Sequence, residues 1–118
     1  MPVKLEISGQ PPQNMEEILA RLFWKEPETA KAAGDFLQTI KQWSRTETPY
    51  TVDQWKSYII RHEITQSTYH NMLKRLRRAG MLEKKYNKGR RTHELILAKN
   101  FSDVMSAAAS LWEEYLRS

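Results

Sequence analysis

From Asn14 onward, apolar residues recur at helical spacing. Met15, Ile18, Leu19, Leu22 and Phe23 fall three and four positions apart, along one side of a helix. Asn14 followed by Glu17 is the signature of a capping box at its start. Pro27 closes this helix and suits the first turn of a second, predicted to run to about Arg45 with Ala33, Phe36, Leu37, Ile40 and Trp43 on one side. Thr46-Glu47-Thr48-Pro49 reads as a loop. Thr51 and Gln54 repeat the capping signature and open a helix expected to turn Val52, Trp55, Ile59 and Ile60 inward. His62-Glu63-Ile64 interrupts it. Thr65 then caps a further helix, whose Tyr69, Met72, Leu73 and Leu76 stand at i, i+3, i+4 and i+7. Gly80 follows as the residue best able to take a left-handed exit.

Beyond Gly80 the period shortens to two. Residues 81–86 and 92–97 read as strands joined by Asn87-Lys88-Gly89-Arg90-Arg91, in which Asn and Gly are suited to positive φ. Ser102 is expected to cap a last helix from Asp103 to about Arg117. At the other end, Val3, Leu5 and Ile7 alternate with Lys4 and Glu6 before Gly9, Pro11 and Pro12 break the pattern. The chain thus divides into an N-terminal arm and helix (1–26), a central domain (27–99) and a C-terminal helix (100–118). The fold class is mainly α with a small β-hairpin.

Composition narrows the chemistry. A chain of 118 residues makes one domain with a short extension. With no cysteine it has no disulfide, thiol nucleophile, thiolate zinc site or iron–sulfur cluster. His62, His70 and His93 lack the spacing of metal ligands, so no metal is expected. The paired carboxylates Glu16-Glu17 and Glu113-Glu114 suit helix ends and surfaces. There is no glycine-rich phosphate loop, so the chain reads as a non-enzyme without a cofactor. It has neither a membrane-length apolar run nor a signal-type leader, and reads as intracellular and free of membrane contact.

The net charge of +5 is unevenly spread. Residues 65–93 hold nine basic side chains and one acid, Glu83, a net of +8, leaving the other 89 residues at −3. A basic stretch on an acidic body is the electrostatic footprint of a polyanion-binding surface.

The two helices and three-residue break between Thr51 and Gly80, with the hairpin after them, resemble a winged helix-turn-helix. The run Ile64-Thr65-Gln66-Ser67-Thr68 through Leu73-Lys74-Arg75-Leu76 to Ala79-Gly80-Met81-Leu82 is similar to the family pattern. That pattern has an apolar turn residue, a Ser/Thr cap, a polar first turn, Leu-x-x-Leu, then Ala-Gly and two apolar residues. The tip with Lys88-Gly89-Arg90-Arg91 is similar to the basic wing of MarR- and PadR-type regulators, and the resemblance covers about residues 28–98. Glu63 departs from it, standing where many members carry Gly, so a strained turn is expected there. The resemblance implies sequence-specific binding of double-stranded DNA and transcription regulation in the cytoplasm, at the nucleoid.

On the helix 66–79, Tyr69, Met72, Leu73 and Leu76 face the core. A turn of 100° per residue then sends Ser67, Asn71, Lys74 and Arg78 outward, with His70 and Arg75 on the flanks and Arg77 nearer the core edge. For a helix entering the major groove, Asn71 suits adenine, Lys74 or Arg75 suits guanine, and Gln66 and Thr68 lie where the helix start holds a phosphate. Arg78, Lys84 and Lys85 would meet the DNA backbone; Lys88, Arg90 and Arg91 would reach the minor groove or flanking phosphates. In the last helix, Val104, Ala108, Leu111, Trp112 and Tyr115 form an apolar stripe, with small Ala107 and Ala109 beside it. Two readings stand equal. The stripe packs on the chain's own Ile18, Leu22, Phe23 and Trp24, or it pairs two copies into a homodimer with reading helices about 34 Å apart. A protein-interaction subunit of a replication or transcription complex and an RNA-binding winged helix are the other functions this pattern suits.

Overall fold

The computed structural model describes residues 7–46 and 49–118. The alternation at 3–6 and the loop residues Glu47 and Thr48 lie outside the described residues. Along the described chain run α1 (Met15–Leu22), α2 (Pro27–Trp43), a 3-10 turn (Val52–Gln54), α3 (Trp55–His62), α4 (Gln66–Arg78), β1 (Leu82–Asn87), β2 (Thr92–Leu97) and α5 (Asn100–Arg117). The fold is mainly α: a helix–turn–helix, α3 and α4, is followed by an antiparallel hairpin, in a winged-helix-like arrangement with helices added at both ends.

Side chains begin these helices as their spacing predicts. The Asn14 side-chain oxygen accepts from the Glu17 amide at 2.9 Å, and the Glu17 carboxylate reaches back to the Gln13 amide at 2.6 Å. Pro27 occupies the first turn of α2, where its missing amide hydrogen costs nothing. Thr51 and Gln54 form a reciprocal capping box, on the 3-10 turn that leads into α3. The helix ends are equally specific. Ile64 and Glu63 donate backward to the Ile59 and Ile60 carbonyls at the end of α3, and Met81 and Gly80 donate to Leu76 and Arg77 at the end of α4. Both are the paired bonds of a Schellman motif, which requires a left-handed residue. Gly80 supplies it at φ 79°, and Glu63 supplies the other at φ 54°.

The core forms where α2 crosses the helix–turn–helix. Phe36 of α2 is fully buried, and three tyrosine rings meet it edge-on: Tyr50, Tyr58 and Tyr69, with centroids 5.3, 5.1 and 5.6 Å away. Edge-to-face contacts of this kind add to the burial of the rings themselves. The Tyr50 and Tyr69 hydroxyls share a hydrogen bond of 2.8 Å. Each buried polar tip therefore has a partner. Burial pushes both phenols up from their ordinary titration range, and pushes Tyr58 up to about 12 against the opposing effect of a hydrogen bond with Thr39. Leu19, Leu22 and Phe23 of α1 close the core on one side, and Met81, Leu82 and Leu95 of the hairpin close it on the other. Tyr50 also accepts from the Leu95 amide, and Thr51 bridges Glu94, so the chain entering the helix–turn–helix lies along β2.

Several expectations are corrected. Ile60 is 77% exposed, and Tyr58 takes the inward place on α3 because Phe36 sits on that side. The hairpin pairs Leu82 with Leu97 through Asn87 with Thr92, so β1 begins one residue later than its alternation suggests. At the tip the left-handed residue is Arg91 (φ 54°), with neither Asn87 nor Gly89 at positive φ. The Asn87 side chain instead accepts from the Arg90 amide at 3.2 Å and holds the turn. Helix α5 begins at Asn100 with Lys99 as its N-cap, and Ser102 is already inside the first turn. The Phe101 amide donates to the Gly80 carbonyl at 2.9 Å, which starts the helix ahead of the serine.

The left-handed turn and the buried rings each set a measurable stability effect. Replacing Glu63 with Gly relieves a left-handed non-glycine residue, partly offset by the greater freedom of Gly in the unfolded chain. The Glu63→Gly variant should gain about 0.5–1 kcal/mol, a rise of roughly 2–5 °C in Tm by calorimetry. The tyrosines set a dependence on pH. A phenol whose pKa is raised by folding contributes stability that is complete below its unfolded value of about 10 and is lost as pH climbs above it. The unfolding free energy from denaturant titration should therefore fall above pH 10, by about 1.4 kcal/mol per pH unit for each such tyrosine still protonated. Tyr50→Phe should make that slope shallower.

Candidate nucleic-acid interface

The orientation of α4 is set by what it buries. Tyr69, Met72 and Leu76 enter the core, as their spacing predicts, and Leu73 is half-buried. Arg75 is buried as well, at 8% exposure. Its guanidinium pairs with the Glu26 carboxylate at the start of α2 and lies over the Phe23 ring, 5.3 Å from its centroid. Expected as a contact for guanine, Arg75 instead ties α4 to the joint between α1 and α2. A long stem can be packed beneath a paired, delocalised charge, which is why Arg can be accommodated there.

With Arg75 among the buried residues, α4 is rolled away from the orientation that its apolar residues alone suggest. The outward face then runs through Gln66, Ser67, His70, Lys74, Arg77 and Arg78, all exposed. Arg77, expected near the core edge, stands fully in this face. Asn71 and Thr68 are half-buried toward the other edge. The Thr65 hydroxyl accepts from the Thr68 amide at 3.0 Å and donates to the Thr68 hydroxyl at 2.9 Å, so Thr68 belongs to the cap as much as to the surface. The His70 ring leans against Trp55 of α3 at 5.6 Å between centroids.

Between α4, β1 and the start of α5 lies an open cleft of about 710 Å³. His70, Lys74, Arg77, Arg78 and Lys84 line it together with one acid, Glu83; Leu73, Leu82 and Ala98 contribute apolar surface. Helix and hairpin thus bring cations from separate stretches of the sequence to one concavity. Such a concentration of one sign on a low-dielectric wall focuses the field outward. Lys85, Lys88, Arg90 and Arg91 are exposed along β1 and the hairpin tip, beyond the cleft lining. Of the side chains expected to form the interface, Arg75 alone is buried.

Helix α5 leaves the body at the edge of this cleft. A Cβ on Gly80 would stand 2.9 Å from the Phe101 amide nitrogen, so the helix start and the end of α4 meet without room for a side chain. Phe101 is half-buried; every residue from Ser102 to Ser118 is exposed. Packing of α5 on the chain's own α1 does not occur: Val104, Leu111, Trp112 and Tyr115 are 55–71% exposed, and Trp24 is 54% exposed. The molecule extends 51 Å along its longest axis. Among the described residues, no helix is long and apolar enough to cross a membrane, and no three His, Asp or Glu side chains cluster as a metal site would require.

The two kinds of cation on α4 separate by experiment. Arg75→Ala leaves Glu26 without its guanidinium partner and empties a buried site, and should cost on the order of 2 kcal/mol in urea denaturation. Lys74→Ala, on the exposed face, should change stability by less than about 0.5 kcal/mol. Equal effects would mean that Arg75 does not hold the helix.

No curated protein and no solved structure matches this chain. A protein-family model does, across residues 11–116, nearly the whole of the chain, from before α1 to the penultimate residue of α5. The chain belongs to this archaeal family.

Proposed function

We propose that the protein binds double-stranded DNA as a transcription regulator, with α4 in the major groove and the hairpin tip on the minor groove or the flanking backbone. One observation carries this reading: the cleft where Lys74, Arg77, Arg78 and Lys84 converge, with Glu83 as its only acid. A ridge that starts with small polar groups (Gln66, Ser67) and ends in cations suits a helix entering the groove by its N-terminus. Base edges then fall to Ser67, His70 and Lys74, on the midline of the exposed face, with Asn71 at its margin. Phosphates fall to Arg77, Arg78, Lys84 and the tip. In this reading two copies act together, joined through α5, as a two-fold protein reading two half-sites.

Fluorescence anisotropy of a labelled random duplex at two salt concentrations tests it. Micromolar binding that collapses as salt rises is the expected result. Arg90→Ala with Arg91→Ala should weaken binding to all sequences alike and flatten the slope of log K against log salt by about two. His70→Ala should instead reduce discrimination between a selected site and random DNA while sparing the salt slope. Absence of binding at low salt would overturn the proposal in favour of a protein-interaction module, and preferential competition by RNA would replace duplex DNA with RNA as the ligand.

A further inference from the structure

On α5, Phe101, Val104, Ala108, Leu111 and Tyr115 recur at alternating intervals of three and four, the heptad spacing of a helix that pairs with another helix. Met105 and Trp112 broaden the stripe on one side. Of the charged residues within the helix, Asp103, Glu113 and Arg117 lie on the opposite face and Glu114 at its margin, and Arg117 is engaged with Glu113 at 3.1 Å. Val104, Leu111, Trp112, Tyr115 and Leu116 are each more than half exposed. A continuous apolar stripe of this extent is more than soluble monomers ordinarily leave bare.

The stripe is graded along its length. Its first half is small or slender (Val104, Ala108, with Ala107 and Ala109 at the edges), and its second half is bulky (Leu111, Trp112, Tyr115). A parallel pair would set Tyr115 against Tyr115 and Ala108 against Ala108, leaving crowding at one end and a gap at the other. An antiparallel pair sets large against small in every layer, as close packing requires.

We infer that α5 pairs antiparallel with α5 of a second copy of this chain, in a register that places Val104 against Tyr115 of the partner subunit and Ala108 against Leu111 of the partner subunit. The two-fold axis passes between the levels of Ala109 and Ser110. With a rise of about 1.5 Å per residue, the two Phe101 positions then stand about 25 Å apart along the pair, so the bodies sit at opposite ends of it. Because the Gly80 carbonyl accepts from Phe101, each α4 ends where its α5 begins, and the pairing sets the separation of the two basic clefts. This deepens the two-copy part of the function proposed above and depends on no DNA contact.

The chain has no native cysteine, which makes the register directly testable. Val104→Cys and Tyr115→Cys chains are prepared separately, then mixed, allowed to exchange and mildly oxidised without DNA. The inference expects a disulfide-linked dimer from the mixture and little from either variant alone. A covalent dimer from Tyr115→Cys alone would establish parallel pairing and overturn it. Sedimentation equilibrium of the unmodified chain should give a dimer, and Trp112→Ala should raise its dissociation constant at least tenfold with helical circular dichroism preserved. A monomer at high micromolar concentration, or a dimer indifferent to Trp112→Ala and without the mixed disulfide, would overturn it also. A dimer that passes these tests yet ignores duplex DNA would leave the pairing standing and remove the DNA-binding reading alone.

Discussion

The engagement of Arg75 with Glu26 and Phe23 decides which way α4 faces. An amphipathic helix packed only through Tyr69, Met72, Leu73 and Leu76 has latitude to roll, because Leu73 stands at one edge of its apolar stripe and Met72 at the other. A guanidinium fixed over a ring and paired to a carboxylate on a different element removes that latitude. The contact is made at the joint between α1 and α2, so the N-terminal helix, which contributes nothing to the basic cleft, still determines where the cleft's cations point. A pair of this kind adds little net stability compared with apolar packing; its value lies in specifying one arrangement among several of similar energy.

A second constraint is concentrated at Gly80. One residue ends α4 with a Schellman motif, reverses the chain into β1 and accepts the first hydrogen bond of α5. A left-handed φ and an approach of 2.9 Å from its would-be Cβ to the Phe101 nitrogen both demand glycine there. Three elements therefore radiate from one point: α4, the hairpin and the projecting helix. The cleft at their meeting is open because a compact turn, with no side chain, makes the corner.

Much of the fold was legible in the sequence because its signals are local. Capping residues at Asn14, Thr51 and Thr65, Pro27 in a first turn, Gly80 past a last turn and the change of period after it depend on neighbours within a few positions. These elements lie close to where their patterns place them. Even the left-handed turn at Glu63 was visible, through the glycine that the resemblance leads one to expect. What escaped was tertiary. Nothing near Arg75 distinguishes it from Lys74 or Arg77. Its partner Glu26 lies far back in the chain, and only the crossing of α2 over α4 brings the two together. Ile60 was misplaced for the same reason, since hydrophobicity ranks it above Tyr58 while Phe36 selects the ring. Ser102 was a reasonable cap by residue type, overruled by a backbone bond from Phe101 to Gly80.

The projecting helix has a further physical consequence. A single helix of the length of α5 is marginal in water on its own, and most helical stability in proteins comes from burying an apolar face. Among the described residues, Phe101 in the first turn is the one residue of α5 that is half-buried, so its outer turns gain little from tertiary contact with them. Their stability has to come from whatever covers the stripe. If that cover is a second α5, folding of the outer turns and association are one event, and the spacing between the two basic clefts becomes fixed only in the pair. The affinity for two adjacent sites on a polyanion would then reflect this preorganisation, because the cost of ordering the two clefts relative to each other is met when the helices pair, before the polyanion is engaged.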